Sequence, residues 1–323
     1  MWNKFVLRSF WIFWAILLGP FVQAQNDSFV GFSIMNPTLH NPSWIGHDRI
    51  ARVVLQARSQ WTGYKTSFDG NGGAPSSLVF NMSVPIASQF SGIGLSVLSE
   101  TIGPLNNKVL NLPLSYNMAL NRSKLILSLM PGIISRTQNF NELRFNDPRD
   151  PFNIGTQETQ TLFNLGFGAL YSLPRNSYIG LSISNLMQPE FNYGLSGISN
   201  KLATSYTLIL GAFRSLKKKG LEFRPNLVVK TDLNTLTFDL GAQVQYNTRI
   251  WMGTSYRWSE AIVIMGGYSL MERNRLKLGF ALDLVIQANQ AKKPTSQEIY
   301  LRYDLLDFVF GGKKKIKTPR FIN

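Results

Sequence analysis

The sequence contains no cysteine, and that absence excludes disulfide bonds, thiolate metal sites and cysteine nucleophiles. Histidine is nearly missing as well, with only His40 and His47 present. A metal site wants more ligands close together than these two and their neighbours supply. A Ser–His hydrolase needs a third polar group to orient its base, and His40 followed by Asn41 ahead of the first strand is only a faint match. No G-x-x-x-x-G-K-[ST] phosphate loop occurs. No catalytic residue, metal or cofactor is therefore expected. After residue 24 there is also no apolar run near the roughly 20 residues that a membrane helix requires, so any span must be a strand. Acids are scarce: 18 Asp and Glu stand against 33 Lys and Arg, for a net charge of +15. That charge suits a nucleic-acid binder as well as a membrane-associated chain, so it does not choose between them.

Residues 1–24 have the form of a cleaved signal peptide. Lys4 and Arg8 supply a positive start, Phe10 to Leu18 a short apolar core, and Val22-Gln23-Ala24 a small residue before a cut at Gln25. The core is too short to anchor in a bilayer. Losing its two cations leaves the remaining chain at +13. A lipoprotein anchor is excluded by the missing cysteine.

The most regular part of the chain runs from Leu236 to Ile286. Apolar and small or polar residues alternate through Leu236–Asn247, Arg249–Trp258, Ala261–Leu270 and Arg275–Ile286. Period 2 is a strand signal. Soluble strands usually stop at about 5–6 residues, whereas a tilted membrane strand needs roughly 9–11. Mean hydropathy near zero (−0.03) fits two faces that average out. The same reading extends from Arg49–Trp61 to Glu298–Leu305 and yields about fourteen strands, an even number that returns both termini to one side. The predicted fold is all-β: a single antiparallel up-and-down transmembrane barrel over 49–305. It follows an N-terminal periplasmic segment, 25–48, and precedes a basic periplasmic tail, 306–323. Pro113, Pro131 and Pro225 fall inside predicted strands and imply bulges or short edges there.

Connections after odd-numbered strands are often long, as at 62–74, 139–160, 187–201 and 287–297. Those after even-numbered strands are short. Outer-membrane barrels have short periplasmic turns and longer outside loops, which orients the predicted barrel with both termini in the periplasm. The two long loops holding Asp147-Pro148-Arg149-Asp150 and Pro189 to Tyr193 are polar and turn-rich and read as solvated, with binding of calcium or a partner as the alternative.

Glycine is frequent on the inward parity, at Gly92, Gly94, Gly166, Gly168, Gly180, Gly241, Gly253, Gly267 and Gly279. Missing side chains there suit curvature or the close approach of a plug. Otherwise the inward parity reads mainly as Ser, Asn, Gln and Thr, without the facing rings of charge expected of an open pore. Tyr171, Tyr246, Tyr256, Trp258 and Tyr268 lie outward near strand ends, where lipid-interface girdles form. The short turns collect cations, above all Lys217, Lys218 and Lys219, and the tail adds Lys313, Lys314, Lys315 and Lys317. This basic periplasmic rim would meet anionic phospholipid or an acidic partner.

Several short motifs, taken in order, resemble one family. Asn36-Pro37 with Asn41-Pro42-Ser43-Trp44-Ile45-Gly46 is similar to the "NP…NPAYAG" opening of the PorP/SprF membrane proteins of Bacteroidota. Arg58-Ser59-Gln60-Trp61-Thr62-Gly63 and Gly73-Ala74-Pro75 resemble that family's "RQQW-x-G…GAP" signature. Ile102-Gly103-Pro104, the closing strand Glu298 to Asp304 and Pro319-Arg320-Phe321 continue the match. Ser43-Trp44-Ile45 replaces the usual Ala-Tyr-Ala, and Ser59 the usual Gln. The resemblance implies an outer-membrane role in the type IX secretion and gliding machinery, in export or surface attachment of a partner adhesin. It implies no catalytic residue, so Asn41, Pro42, Gly46, Arg58, Trp61 and Pro75 stand as structural or partner-contact positions. Two functions follow. One is a non-enzymatic scaffold whose partners are membrane lipid and a secreted adhesin or other secretion components, without nucleic acid. The other is an outer-membrane channel for small solutes.

Overall fold

The computed structural model describes residues 31–64, 73–86, 90–143, 146–147, 149, 155–174, 176–193, 200–216, 220–286, 294–306, 308 and 310–311. The predicted signal peptide, the Lys217–Lys219 turn and the lysines of the tail lie outside these residues.

Fourteen antiparallel wall strands close into a barrel. We number them β1 (Ala51–Ser59), β2 (Ser76–Pro85), β3 (Phe90–Ile102), β4 (Leu105–Asn111 and Leu114–Leu120), β5 (Ser123–Asn139), β6 (Gln157–Leu173) and β7 (Ser177–Ser184). The second half is β8 (Ser205–Ala212 and Arg214–Leu216), β9 (Leu221–Thr231), β10 (Leu236–Tyr246), β11 (Ile250–Arg257), β12 (Ala261–Leu270), β13 (Leu276–Val285) and β14 (Thr295–Leu305). Each strand pairs with its sequence neighbours. β14 then pairs with β1 from Ala51↔Leu305 to Ser59↔Gln297, so no edge is left open.

The alternation read in the sequence is the alternation of the wall. Along β11, Ile250, Met252 and Tyr256 are exposed while Trp251, Ser255 and Arg257 are buried. Large apolar side chains such as Leu181, Met252, Ile264 and Ile299 are more than half exposed on the outer face. A belt of that kind is stable against lipid tails and costly against water. Tyr246, Tyr256, Trp258 and Tyr268 belong to it, with Phe238 stacked on Trp258 at 5.1 Å.

The prolines differ from expectation in an instructive way. Pro113 does interrupt β4, but Pro131 and Pro225 sit inside continuous strands, opposite Leu165 and Ala242. Each faces a lapse in the neighbouring strand. β4–β5 pairing stops between Asn111↔Gly132 and Leu114↔Leu129. β8–β9 pairing stops between Gly211↔Asn226 and Arg214↔Phe223. The donor that proline lacks therefore falls where the ladder is already broken. Register is preserved across both gaps.

Four connections at one rim are long (60–75, 140–156, 185–204 and 286–294), whereas the opposite rim has only short turns. The long-loop rim also holds tight turns, such as Gly103-Pro104 between β3 and β4. The 185–204 loop is not simply solvated. Glu190–Phe191 pairs with Asn200–Lys201, and the buried Phe191 ring lies 4.6 Å under the Arg136 guanidinium. Gln160 Oε1 accepts from the Asn192 amide at 3.1 Å and holds this loop to β6.

The N-terminal segment departs most from expectation. Residues 25–48 were expected beside the barrel, but Phe32, Met35, Trp44 and Ile45 are buried against inward-facing side chains of the wall. Two single-turn 3₁₀ helices, Pro37–Leu39 and Pro42–Trp44, carry the chain across the lumen. Proline opens each, because its fixed φ suits the first helical position. A barrel of this size has room for an occupant, and the nearest apolar segment fills it.

Candidate functional site

The plug is held along its length by named contacts. At its start Glu298 accepts from the amides of Gly31 (2.6 Å) and Phe32 (3.4 Å), and from the Gln56 side chain. Phe32 packs on Tyr300 (4.9 Å between rings) and edge-on to Trp251 (5.9 Å). Tyr300 donates its hydroxyl to the Met35 carbonyl at 3.0 Å. Asn36 donates to Gln56 Oε1 (3.2 Å) and accepts from Asn81 (3.1 Å).

The motif residues lie further along. Asn41 caps the second 3₁₀ helix by accepting from the Ser43 amide at 2.8 Å. Its Nδ2 donates to two wall carbonyls, Ala169 (3.1 Å) and Leu181 (3.0 Å). That approach requires Gly168 and Gly180, where an added Cβ would lie 2.8 and 2.7 Å from Asn41 atoms. The Pro42 carbonyl accepts from Ser115, and the Ser43 hydroxyl meets Ser128 at 2.8 Å. Trp44 packs edge-on to Tyr178 at 4.6 Å. Gly46 has φ +74°, and its absent Cβ would fall 1.9 Å from the Ser91 carbonyl oxygen, so glycine is the residue that fits. Asn41, Pro42 and Gly46 thus converge on the plug.

Arg58, Trp61 and Pro75 gather instead where β1 and β2 meet the long-loop rim. Trp61 donates its amide to Ser296 Oγ at 3.1 Å, and the Pro75 carbonyl accepts from the Gln60 amide at 2.8 Å. Arg58 is buried in an ionic cluster, 2.7 Å from Asp283 and 3.6 Å from both Glu298 and Glu260. Arg257 shares this cluster, 3.2 Å from Asp283, 3.4 Å from Glu260 and 3.5 Å from Asp239. Two guanidiniums here serve four carboxylates, drawn from five strands and one turn. The inward face is therefore not confined to Gly, Ser, Asn, Gln and Thr, as the sequence suggested. Period 2 already placed Asp239, Arg257 and Asp283 inward, but only the register across strands assembles them.

A second cluster lies near the short-turn rim. Arg302 makes a two-pronged contact with Asp304 (2.7 and 2.9 Å), and Lys277 reaches the same carboxylate at 2.9 Å. Arg52 lies 3.5 Å from Asp304 and also pairs with Asp48 of the plug. These groups line a cavity of about 430 Å³ whose floor is plug, including Ile34, Met35, Pro37 and Trp44. The opposite wall contributes Glu222 and Arg224, paired at 2.7 Å, and Arg273 from the β12–β13 turn. Among the described residues, five cations and three acids line it. Among the short-turn cations expected at the rim, Arg273 enters this vestibule.

Both histidines belong to the plug, His40 buried and His47 half-buried. Burial, reinforced by Lys230 and Arg257, holds His40 well below its ordinary pKa, so it is neutral at neutral pH. Its backbone carbonyl, not its ring, is used: Ser182 donates to it at 2.6 Å. Burial also lowers His47, against the opposing pull of Asp48. His47 Nε2 lies 3.1 Å from Ser172 Oγ. Burial works against the Asp48 carboxylate, yet Arg52 and Arg302 hold it below its usual range.

Comparison with known proteins supplies the family. The family model for the type IX secretion system membrane protein PorP/SprF matches residues 22–303. No curated protein matches the chain. Among solved structures, the toluene transporter TbuX of Ralstonia pickettii has 11% identity, covering 89% of this chain and 97% of its own, with a TM-score of 0.45. A Pseudomonas aeruginosa FadL homologue has 11% identity, 84% and 93% coverage and a TM-score of 0.45. Omp33 of Acinetobacter baumannii has 8% identity, 81% and 99% coverage and a TM-score of 0.42.

Proposed function

Because the chain belongs to the PorP/SprF family of type IX secretion system membrane proteins, we propose that it is a non-enzymatic outer-membrane scaffold of that machinery. On this reading it assists export or surface attachment of a partner adhesin, or links the outer membrane to periplasmic components. Its short-turn rim and both termini face the periplasm.

The observation that favours a scaffold over a solute channel is the seated plug. Phe32, Met35 and Trp44 are buried across the lumen, against both β11–β14 and β5–β9. Hydrogen bonds from Gly31 through Ser43 tie the same segment to β1, β2, β5, β6, β7 and β14. A lumen filled in this way leaves solutes no wide path, so the barrel offers its rims to other proteins.

The test has two arms. Deleting the gene in the native host is expected to reduce type IX cargo at the cell surface, with recovery on complementation. Purified protein in planar bilayers is expected to give no large stable current. Normal cargo display in the deletion strain sinks the secretion role, and a steady open conductance favours the channel.

A further inference from the structure

We infer that the vestibule at the short-turn rim is a docking site for an acidic polypeptide segment that also carries apolar side chains. This deepens the scaffold reading, on which it rests for the identity of the partner, while the site itself stands on geometry.

The cavity is built rather than incidental. Its floor is the apolar plug surface around Ile34, Met35 and Trp44, and its walls are inward-facing strand residues. Charge in it is unbalanced, because Asp304 alone is shared by Arg302, Lys277 and Arg52. Asp48 is taken by Arg52, and Glu222 by Arg224. Arg273 stands at the mouth, and among the described residues the lining carries two more positive charges than negative. A carboxylate entering here gains charge-assisted hydrogen bonds in a partly water-excluded site, where they are stronger than at an open surface. The apolar floor beneath the cations takes a neighbouring aliphatic or aromatic side chain. That combination fits a peptide better than a free anion.

Two other occupants are disfavoured. The cavity is lined by plug, inward-facing strand and short-turn residues, whereas bilayer lipid lies against the outer face, so a headgroup would have to leave its leaflet to enter. The chain's own tail carries Lys313, Lys314, Lys315, Lys317 and Arg320, and a basic segment is a poor match for a lining of net positive charge.

The test uses the full-length barrel in zwitterionic nanodiscs and a short fluorescent peptide alternating glutamate and leucine. Peptides with lysine or glutamine in place of glutamate serve as controls. The acidic peptide is expected to bind at least about tenfold more tightly than either, since a charge-assisted contact is worth more than a neutral one. Arg224→Glu with Arg273→Glu is expected to abolish the preference without touching the Asp304 cluster. Heat-modifiable migration checks that the variant barrel is folded. If it is not, Arg224→Gln with Arg273→Gln serves and should weaken binding about tenfold. Equal binding of acidic and basic peptides overturns the site, as does an affinity unchanged by either double variant. Displacement of bound peptide by short-chain phosphatidylglycerol assigns the pocket to lipid and also overturns the proposal. The two readings fail separately: selective peptide binding with normal cargo display in the deletion strain removes only the secretion role. Absent binding with lost cargo display removes only the docking site.

Discussion

The plug meets two unlike walls. Along β4–β7 it touches mainly small neutral groups, Ser115, Ser128, Gly168, Gly180 and Ser182, with the Tyr178 ring against Trp44. Along β1 and β10–β14 it faces buried ions and aromatic rings, among them Arg58, Glu298, Trp251 and Tyr300. The first wall binds by proximity, since missing side chains let Asn41 reach backbone carbonyls. The second binds by charge and shape. Buried charges are costly to desolvate, and their mutual attraction repays that only when each has a partner. The two walls should therefore fail differently.

Removing one buried charge is expected to have the largest effect. Arg58→Ala leaves Asp283 and Glu298 short of their nearest cation, and a loss of about 3–5 kcal/mol is typical of such a site. Urea unfolding followed by heat-modifiable migration measures it. Ser128→Ala on the neutral wall should cost no more than about 1 kcal/mol. Equal shifts for the two variants would erase the distinction between the walls. Gly46→Ala comes next, at roughly 1–3 kcal/mol for a strained backbone, with the Ser91 carbonyl clash added. Here the barrel should stay folded while the plug leaves. Amide exchange should quicken through residues 32–48 alone, and bilayer current should appear. Unchanged exchange would show that the β3 backbone beside Ser91 tolerates a side chain there.

Asn41→Ala should act in the same direction more weakly, about 1–2 kcal/mol for the lost cap and the two lost hydrogen bonds to wall carbonyls, again read by exchange in the plug. The smallest effect expected is that of pH. His40 is held below its ordinary value by burial, with Lys230 and Arg257 adding to the shift. An unseated histidine titrates near 6.5. The released plug therefore binds the proton first, and the seated state keeps its full stability above about pH 6.5 and loses it as pH falls further. His47 shifts in the same direction, with Asp48 opposing and Lys124 and Arg52 assisting. Protection of the plug amides, corrected for the slower intrinsic exchange at low pH, should fall between pH 7 and pH 5, and His40→Gln should flatten that dependence. A wild-type profile that is flat over this range excludes His40 as its source.

Much of the wall was legible because a strand reports its own faces. Met252 and Tyr256 fall outward and Arg257 inward by parity alone, whatever the rest of the chain does. The inward glycines were legible too, together with the idea that something approaches them closely. The ionic clusters were not. Arg58, Asp239, Arg257, Asp283 and Glu298 lie on five strands, and their meeting depends on pairings such as Arg58↔Glu298 and Asp239↔Arg257. Pro131 and Pro225 were misread for a related reason, since a missing donor matters only through the neighbour it faces.

The sequence by itself determined a membrane barrel of about fourteen strands, because alternation and strand length are local properties that lipid and water sort without reference to distant residues. Only the tertiary structure decided what fills that barrel. Residues 31–48 carry no period, and their burial follows from a closed wall that leaves a lumen of matching shape. The vestibule arises the same way, from plug and wall together: Arg52 of β1 comes within reach of Asp304 of β14 only once the ring has closed.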